Sequence, residues 1–284
     1  MRIPEYYEGN EIFFDTHAHL YDDRYAEENE STEDILARAA KAGVRRVLVP
    51  ADCECTSARA IDICREYNAF SGVELFCSVG VHPHESESYG DNTEKYLSRC
   101  LSDRNNLRIK ALGEIGLDYF YNLSPKDCQK EVFVKQLELA FDADIPVIIH
   151  AREATKDCLD ILKRFYKEGR LRKTPGVCHC CTMSAESASE MVKMGFYIGI
   201  DGPVTFKNNR KTPELVRSVP VERIVIETDS PYLTPEPNRG IANEPCFVPF
   251  VARTIAQILD VATEEIARIT YENANRLYEI EEAK

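Results

Sequence analysis

FFDTHAHL, residues 13–20, runs from two phenylalanines into a pair of histidines one residue apart. The chain has only 6 histidines in 284 residues, so where they fall is informative. A β-strand sends alternate side chains to one face, so His17 and His19 end this run side by side. The other four sit in the same kind of place. His82 and His84 follow the run LFCSVG at 75–80, His150 ends IPVIIH at 145–150, and His179 lies in GVCHC at 176–180.

Working outward, short runs rich in Val, Ile and Phe recur along the chain. They are IFFDTH (12–17), VRRVLVP (44–50), LFCSVG, IKALGEIG (109–116), IPVIIH, GVCHC, FYIGI (196–200) and RIVIETD (223–229), which makes eight candidate strands. Helical patterns separate them. SPKD at 124–127 offers Ser124 as N-cap and Pro125 at the first helical position. Phe133, Leu137, Ala140 and Phe141 then form one apolar face. Gly43 and Gly195 each stand between a helical stretch and a strand, as C-caps should. Residues 248–260 and 263–279 read as two closing helices, the first with Val248, Val251, Ile255, Ile258 and Leu259 on one stripe.

Strands alternating with helices imply parallel pairing, and near-continuous apolar strands imply burial on both faces. The expected fold is therefore a single-domain α/β protein, a closed (β/α)8 TIM barrel over residues 1–284 with 1–11 as an N-terminal extension. An open doubly wound sheet is the alternative, but no GxGxxG follows the first strand. Composition agrees with a globular chain, at 44% hydrophobic and 29% charged residues. No signal peptide and no membrane span is read in it. Eleven cysteines, an odd number in a long chain, suit a reducing compartment better than a disulfide framework. The cytoplasm is expected, with the nucleus left open, and a monomer.

On a barrel all six histidines fall at the C-terminal strand ends, where such folds build active sites. Glu114 in GEIGLDY and Asp229 in ETDSPYL end strands on the same rim. Imidazole with carboxylate is a ligand set for zinc, manganese or magnesium, so the conjunction predicts a metal site. The formal charge of −13 excludes a protein that coats nucleic acid through a broad basic surface. Any such substrate is gripped locally.

FFDTHAHL, VGVHPHE, ALGEIGLDYFY, PVIIHARE, HCC, GFYIGIDGPVTFKN and IVIETDSPYLTPEPNRGIANEP, in this order from residue 12 to about 278, resemble the TatD family of metal-dependent deoxyribonucleases in the amidohydrolase superfamily. The resemblance implies two divalent ions, zinc, manganese or magnesium. His17 and His19 hold one ion, Glu114 bridges, His150 and His179 hold the second, and Asp229 binds metal and activates water. It further implies His82 as a phosphate contact or proton donor, Arg152 as a phosphate clamp, and Asp15 as a residue orienting a ligand. The implied activity is hydrolysis of DNA phosphodiesters, as a 3′–5′ exonuclease on single strands or ends.

Two further features bear on substrate. FKNNRK at 206–211 is locally basic, so Lys207 and Arg210 are candidate contacts to distant phosphates; Tyr119, with Phe120 and Tyr121, is a candidate for stacking an unpaired base. In CHCC at 178–181 strand alternation points Cys178 and Cys180 away from the face of His179, and packing is expected. Here the sequence departs from the family pattern, in which HCF precedes a small Ser-Gly turn. Cleavage of a small amide, ester or lactone by the same barrel is the alternative function. A non-catalytic scaffold is the third, and no proposed ligand is missing to favour it.

Overall fold

Each of the eight apolar runs forms a strand. In the computed structural model, which describes residues 4–281, these are β1 (Phe13–Asp15), β2 (Val44–Val49), β3 (Glu74–Val79), β4 (Ile109–Asp118), β5 (Val147–Arg152), β6 (Gly176–Cys178), β7 (Tyr197–Ile200) and β8 (Ile224–Ile226). All pair in parallel and in chain order. The ring closes between β8 and β1, where Thr16 N–H donates to Ile226 O, Asp229 N–H to His17 O and His19 N–H to Ser230 O. The expected eight-stranded barrel is therefore present.

Among the described residues there are ten α-helices: α1 (Asp23–Glu27), α2 (Thr32–Lys41), α3 (Glu54–Tyr67), α4 (Asp91–Ser102), α5 (Lys126–Asp142), α6 (Thr155–Lys167), α7 (Ala185–Lys193), α8 (Lys211–Ser218), α9 (Val248–Leu259) and α10 (Thr263–Tyr278). None is long and apolar enough to cross a membrane on its own. Gly43 and Gly195 take the left-handed conformation expected of helix ends, with φ of 86° and 99°.

Two apolar layers result from the alternation of the strands. Phe14, Leu48, Phe76, Ala111, Ile148, Val177, Tyr197 and Val225, one from each strand, fill the barrel interior. Tyr271, Ala274, Leu277 and Tyr278 of α10 join them and plug the N-terminal end of the barrel. Their neighbours in sequence, such as Phe13, Val47, Leu75, Leu112, Ile149, Cys178, Ile198 and Ile224, face the helices instead. With one end plugged, the C-terminal end is the one left open.

The start of α5 differs from its expected form. The helix begins at Lys126 with Pro125 as N-cap, and Ser124 has another task. Its hydroxyl donates to His84 O at 2.8 Å and accepts from Glu87 N–H at 3.3 Å, fastening the loop after β3. Phe141 is 40% exposed and lies outside the apolar face of Phe133, Leu137 and Ala140. Two buried glutamines complete that face. Gln129 brackets Asp118, accepting from its N–H and donating to its carbonyl, and Gln136 does the same for Val81. Helix α5 thereby fixes the backbones that carry Asp118 and His82.

Candidate metal centre

The histidine pair does not follow simply from alternation along β1. Phe14 points inward, and unbroken alternation would put Thr16 and Ala18 on that face. The strand ends at Asp15 and the chain bends at Thr16, so that His17 and His19 face the mouth while Ala18 packs outward. A similar slip occurs in β4. Leu112 pairs with Val147 and Ile115 with Ile149, so three steps on β4 match two on β5. The extra residue is a bulge that turns Glu114 inward, followed by Asp118 in the same phase. Space for it comes from glycine, because a Cβ on Gly113 would lie 2.6 Å from the Ile148 Cβ.

Glu114 stands at the centre. Its Oε1 lies 3.1 Å from His17 Nε2 and 3.5 Å from His19 Nε2. Its Oε2 lies 3.1 Å from His179 Nε2 and 3.5 Å from His150 Nδ1. The carboxylate thus addresses one histidine pair with each oxygen. Asp229 Oδ1 approaches His19 and His17 Nε2 at 3.5 and 3.7 Å, from a residue with φ of 55°. The His17 and His179 rings stack 4.0 Å apart.

These donors fit a cation. His17 Nε2 faces His19 Nε2 at 3.2 Å as well as Glu114 and Asp229, and one proton cannot satisfy all three. Ligand atoms of His17, His19 and Glu114, of His17, His179 and Asp229, and of His82, Glu114 and His150 each cluster within 4.8 Å. The electrostatics agree. Burial pulls the His19 imidazole down, but Asp229, Asp52 and Glu114 overcome it and hold it up at about 9. Burial likewise disfavours His179 protonation, and Glu114 and Glu227 reverse this. Glu114 is held well below the usual carboxylate range, its burial outweighed by His179 and His17. The carboxylates thus demand positive charge at this spot, which a divalent ion supplies in place of protons.

Buried partners orient the ring nitrogens. Tyr21 donates its hydroxyl proton to Asp52 at 2.8 Å, so it accepts from His19 Nδ1 at 3.0 Å and leaves Nε2 as the free donor atom. Asp118 Oδ2 takes His150 Nε2 at 3.1 Å and His84 Nε2 at 3.0 Å, while its Oδ1 accepts from the N–H groups of Phe120 and Tyr121. Glu227 lies 3.6 Å from His179 Nδ1 and occupies space that a Cβ on Gly199 would fill. Sequence reasoning missed Tyr21, Asp52, Asp118 and Glu227. Two of them carry a readable signal, since Asp118 is in phase with Glu114 and Glu227 stands one strand period before Asp229. Asp15 touches no histidine ring; it accepts from Thr228 N–H and hydroxyl and from His17 N–H, fixing the β1–β8 seam.

A cavity of about 580 Å³ opens over the centre, its walls including His82, His84, Tyr121, Arg152 and Tyr232. Arg152 makes no ion pair among the described residues; its guanidinium lies 4.2 and 4.8 Å from the rings of Phe120 and Tyr121. Tyr119 is not on this wall. Its hydroxyl donates to Asp157 at 2.7 Å and its ring lies under Lys126, so the turn after Asp118 presents Tyr121 instead. Lys207 and Arg210 are exposed on the segment after β7 and do not line the cavity. Cys178 packs outward with the core as expected, but Cys180 does not. Strand β6 ends at Cys178, and with φ of 40° Cys180 turns back toward Asp201 and Asp229.

Comparison with known proteins bears on this geometry. A family described as TatD related DNase matches residues 14–279. The chain belongs to the TatD family. It is 42% identical to an uncharacterized metal-dependent hydrolase, YabD, of Bacillus subtilis, over 95% of this chain and all of that one. It is 32% identical to a protein of Escherichia fergusonii named 3′-5′ ssDNA/RNA exonuclease TatD, over 94% of this chain and 99% of that one. The crystal structure of YJJV, a TatD homolog from Escherichia coli, superposes with a TM-score of 0.84 at 29% identity, covering 95% of this chain and 98% of that one. As a member of this family the protein is a metal-dependent hydrolase, and its His, Asp and Glu clusters suit divalent ions.

Proposed function

We propose that the protein hydrolyses phosphodiester bonds of single-stranded DNA from the 3′ end, using two divalent ions that His17, His19, Glu114, His150, His179 and Asp229 would hold. The observation that carries this reading is the division of the Glu114 carboxylate, with Oε1 toward His17 and His19 and Oε2 toward His150 and His179. The name of the Escherichia fergusonii relative supports the substrate class. Divalent ions there supply the charge that neutralises phosphoryl oxygens and make water a nucleophile at neutral pH.

The residues of the chain do the rest. Asp229, its backbone N–H fixed on His17 O, accepts the proton of the attacking water. His82 Nδ1 accepts from His84 N–H at 3.2 Å, so its proton sits on Nε2. Burial also pulls this imidazole well below its ordinary range. His82 is therefore a neutral hydrogen-bond donor to a phosphoryl oxygen, and of the two roles implied by the resemblance the phosphate contact is favoured. Arg152, held against two rings, clamps a phosphate, and Tyr121, 53% exposed, stacks an unpaired base.

The test is a time course on a 5′-labelled single-stranded oligonucleotide with metal-stripped protein resupplied with magnesium, manganese or zinc. A ladder of shortening products that needs added metal and disappears in His17→Ala/His19→Ala is expected. Intact DNA under every metal, with hydrolysis of ester or lactone substrates, would replace this reading by carbonyl chemistry in the same barrel.

A further inference from the structure

Beside the centre lies a second group of potential ligands that the reaction above does not use. The Cys180 thiol, an Asp201 carboxylate oxygen and an Asp229 carboxylate oxygen all lie within 4.8 Å of one another. Three elements bring them together. The turn after β6 carries Cys180, whose N–H is pinned on Glu227 Oε1 at 2.5 Å; Asp201 follows β7 directly, and Asp229 follows β8.

Asp201 is the telling member. It is only 3% exposed, yet its Oδ2 has no hydrogen-bond partner. A buried carboxylate oxygen left unpaired is costly, and native structures satisfy such atoms with a donor, a water or an ion. Here the groups that face it are the Cys180 thiol and the carboxylates of Glu227 and Asp229, none of them a strong donor, and the thiol with the Asp201 and Asp229 carboxylates forms a cation ligand set. The three atoms would need to close only slightly, since ligands about 2.0–2.3 Å from one zinc ion sit roughly 3.5 Å apart. A further cavity of about 230 Å³, whose lining includes Cys180, Thr182, Arg152 and Asp229, gives an entry path and room for a fourth ligand.

We propose that Cys180, Asp201 and Asp229 form an additional cation position selective for thiophilic divalent ions such as zinc or cadmium. The thiolate sets the selectivity, because magnesium and manganese favour oxygen ligands. The position shares Asp229 with the centre described above but draws on none of its histidines. A zinc ion there competes for the carboxylate that activates water, so excess zinc inhibits where excess magnesium does not.

The experiment uses the full chain loaded with manganese and titrated with cadmium, reading the ultraviolet charge-transfer band of a cadmium thiolate. One equivalent per chain is expected to produce the band. Cys180→Ser is expected to abolish it, and Asp201→Asn to weaken cadmium binding by about ten-fold or more, since even losing an outer partner of a ligand costs about that much. The band persists in His17→Ala/His19→Ala, which separates this position from the histidine centre. A band that survives in Cys180→Ser places the cadmium on other cysteines and overturns the proposal. So does an unchanged affinity in Asp201→Asn, which reduces Cys180 to a lone reactive thiol, or loss of the band in the double histidine variant.

Discussion

Replacing Glu114 by glutamine keeps the shape of the bridge but removes its charge and turns one oxygen into a donor aimed at imidazoles. Glu114→Gln is expected to lower bound metal, measured by elemental analysis of dialysed protein, and to reduce turnover by about 100-fold or more. The rim aromatics give a sharper comparison. Tyr121→Ala is expected to raise KM for a single-stranded oligonucleotide about ten-fold, because stacking one base contributes ~1–3 kcal/mol. Tyr119→Phe should leave KM alone and cost about 1 kcal/mol of stability through the lost hydrogen bond to Asp157. At this scale the histidines were legible because they are rare and stand at strand ends. Asp118, Glu227, Tyr21 and Asp52 were not, because an acid or a phenol acquires its role from a partner far away in the chain. Tyr119 and Tyr121 are two residues apart in one motif, and only the turn that Asp118 organises decides which of them reaches the cavity.

Strands and helices were readable from apolar periodicity to within a few residues, yet the phase of two strands was not. The bend at Thr16 and the bulge near Glu114 each shift the phase of the side chains, and a slip of one exchanges the faces of all that follows. Alternation alone would have turned Glu114 away from the centre and, after β6, Cys180 away from Asp201. Such irregularities depend on backbone contact between strands, as where Gly113 lies against Ile148 and a Cβ would come to 2.6 Å. Gly113→Ala is therefore expected to destabilise the protein by ~1–3 kcal/mol and to lower turnover with it, since relief of the clash displaces the bulge that aims Glu114. Denaturant unfolding and kcat measured on the same preparation check both parts. A loss of stability with turnover unchanged would detach the bulge from catalysis.

The whole barrel has two ends with different duties. The N-terminal end is closed by α10, whose Leu277 is fully buried among the interior residues of the strands. Leu277→Ala is expected to cost ~2–5 kcal/mol of stability, seen as a lower midpoint in denaturant, with kcat per folded molecule unchanged. The open end carries the chemistry, and its potential ligands come from seven of the eight strands or the segments just after them. The barrel was legible as a whole because eight apolar runs, each buried on both faces, leave few other architectures. The most direct test of the central claim is anomalous scattering from crystals of the manganese-loaded protein. Two peaks are expected, one beside each oxygen of Glu114, the first toward His17 and His19 and the second toward His150 and His179. A single peak, or two that do not flank Glu114, would contradict the bridged centre on which the proposed chemistry stands.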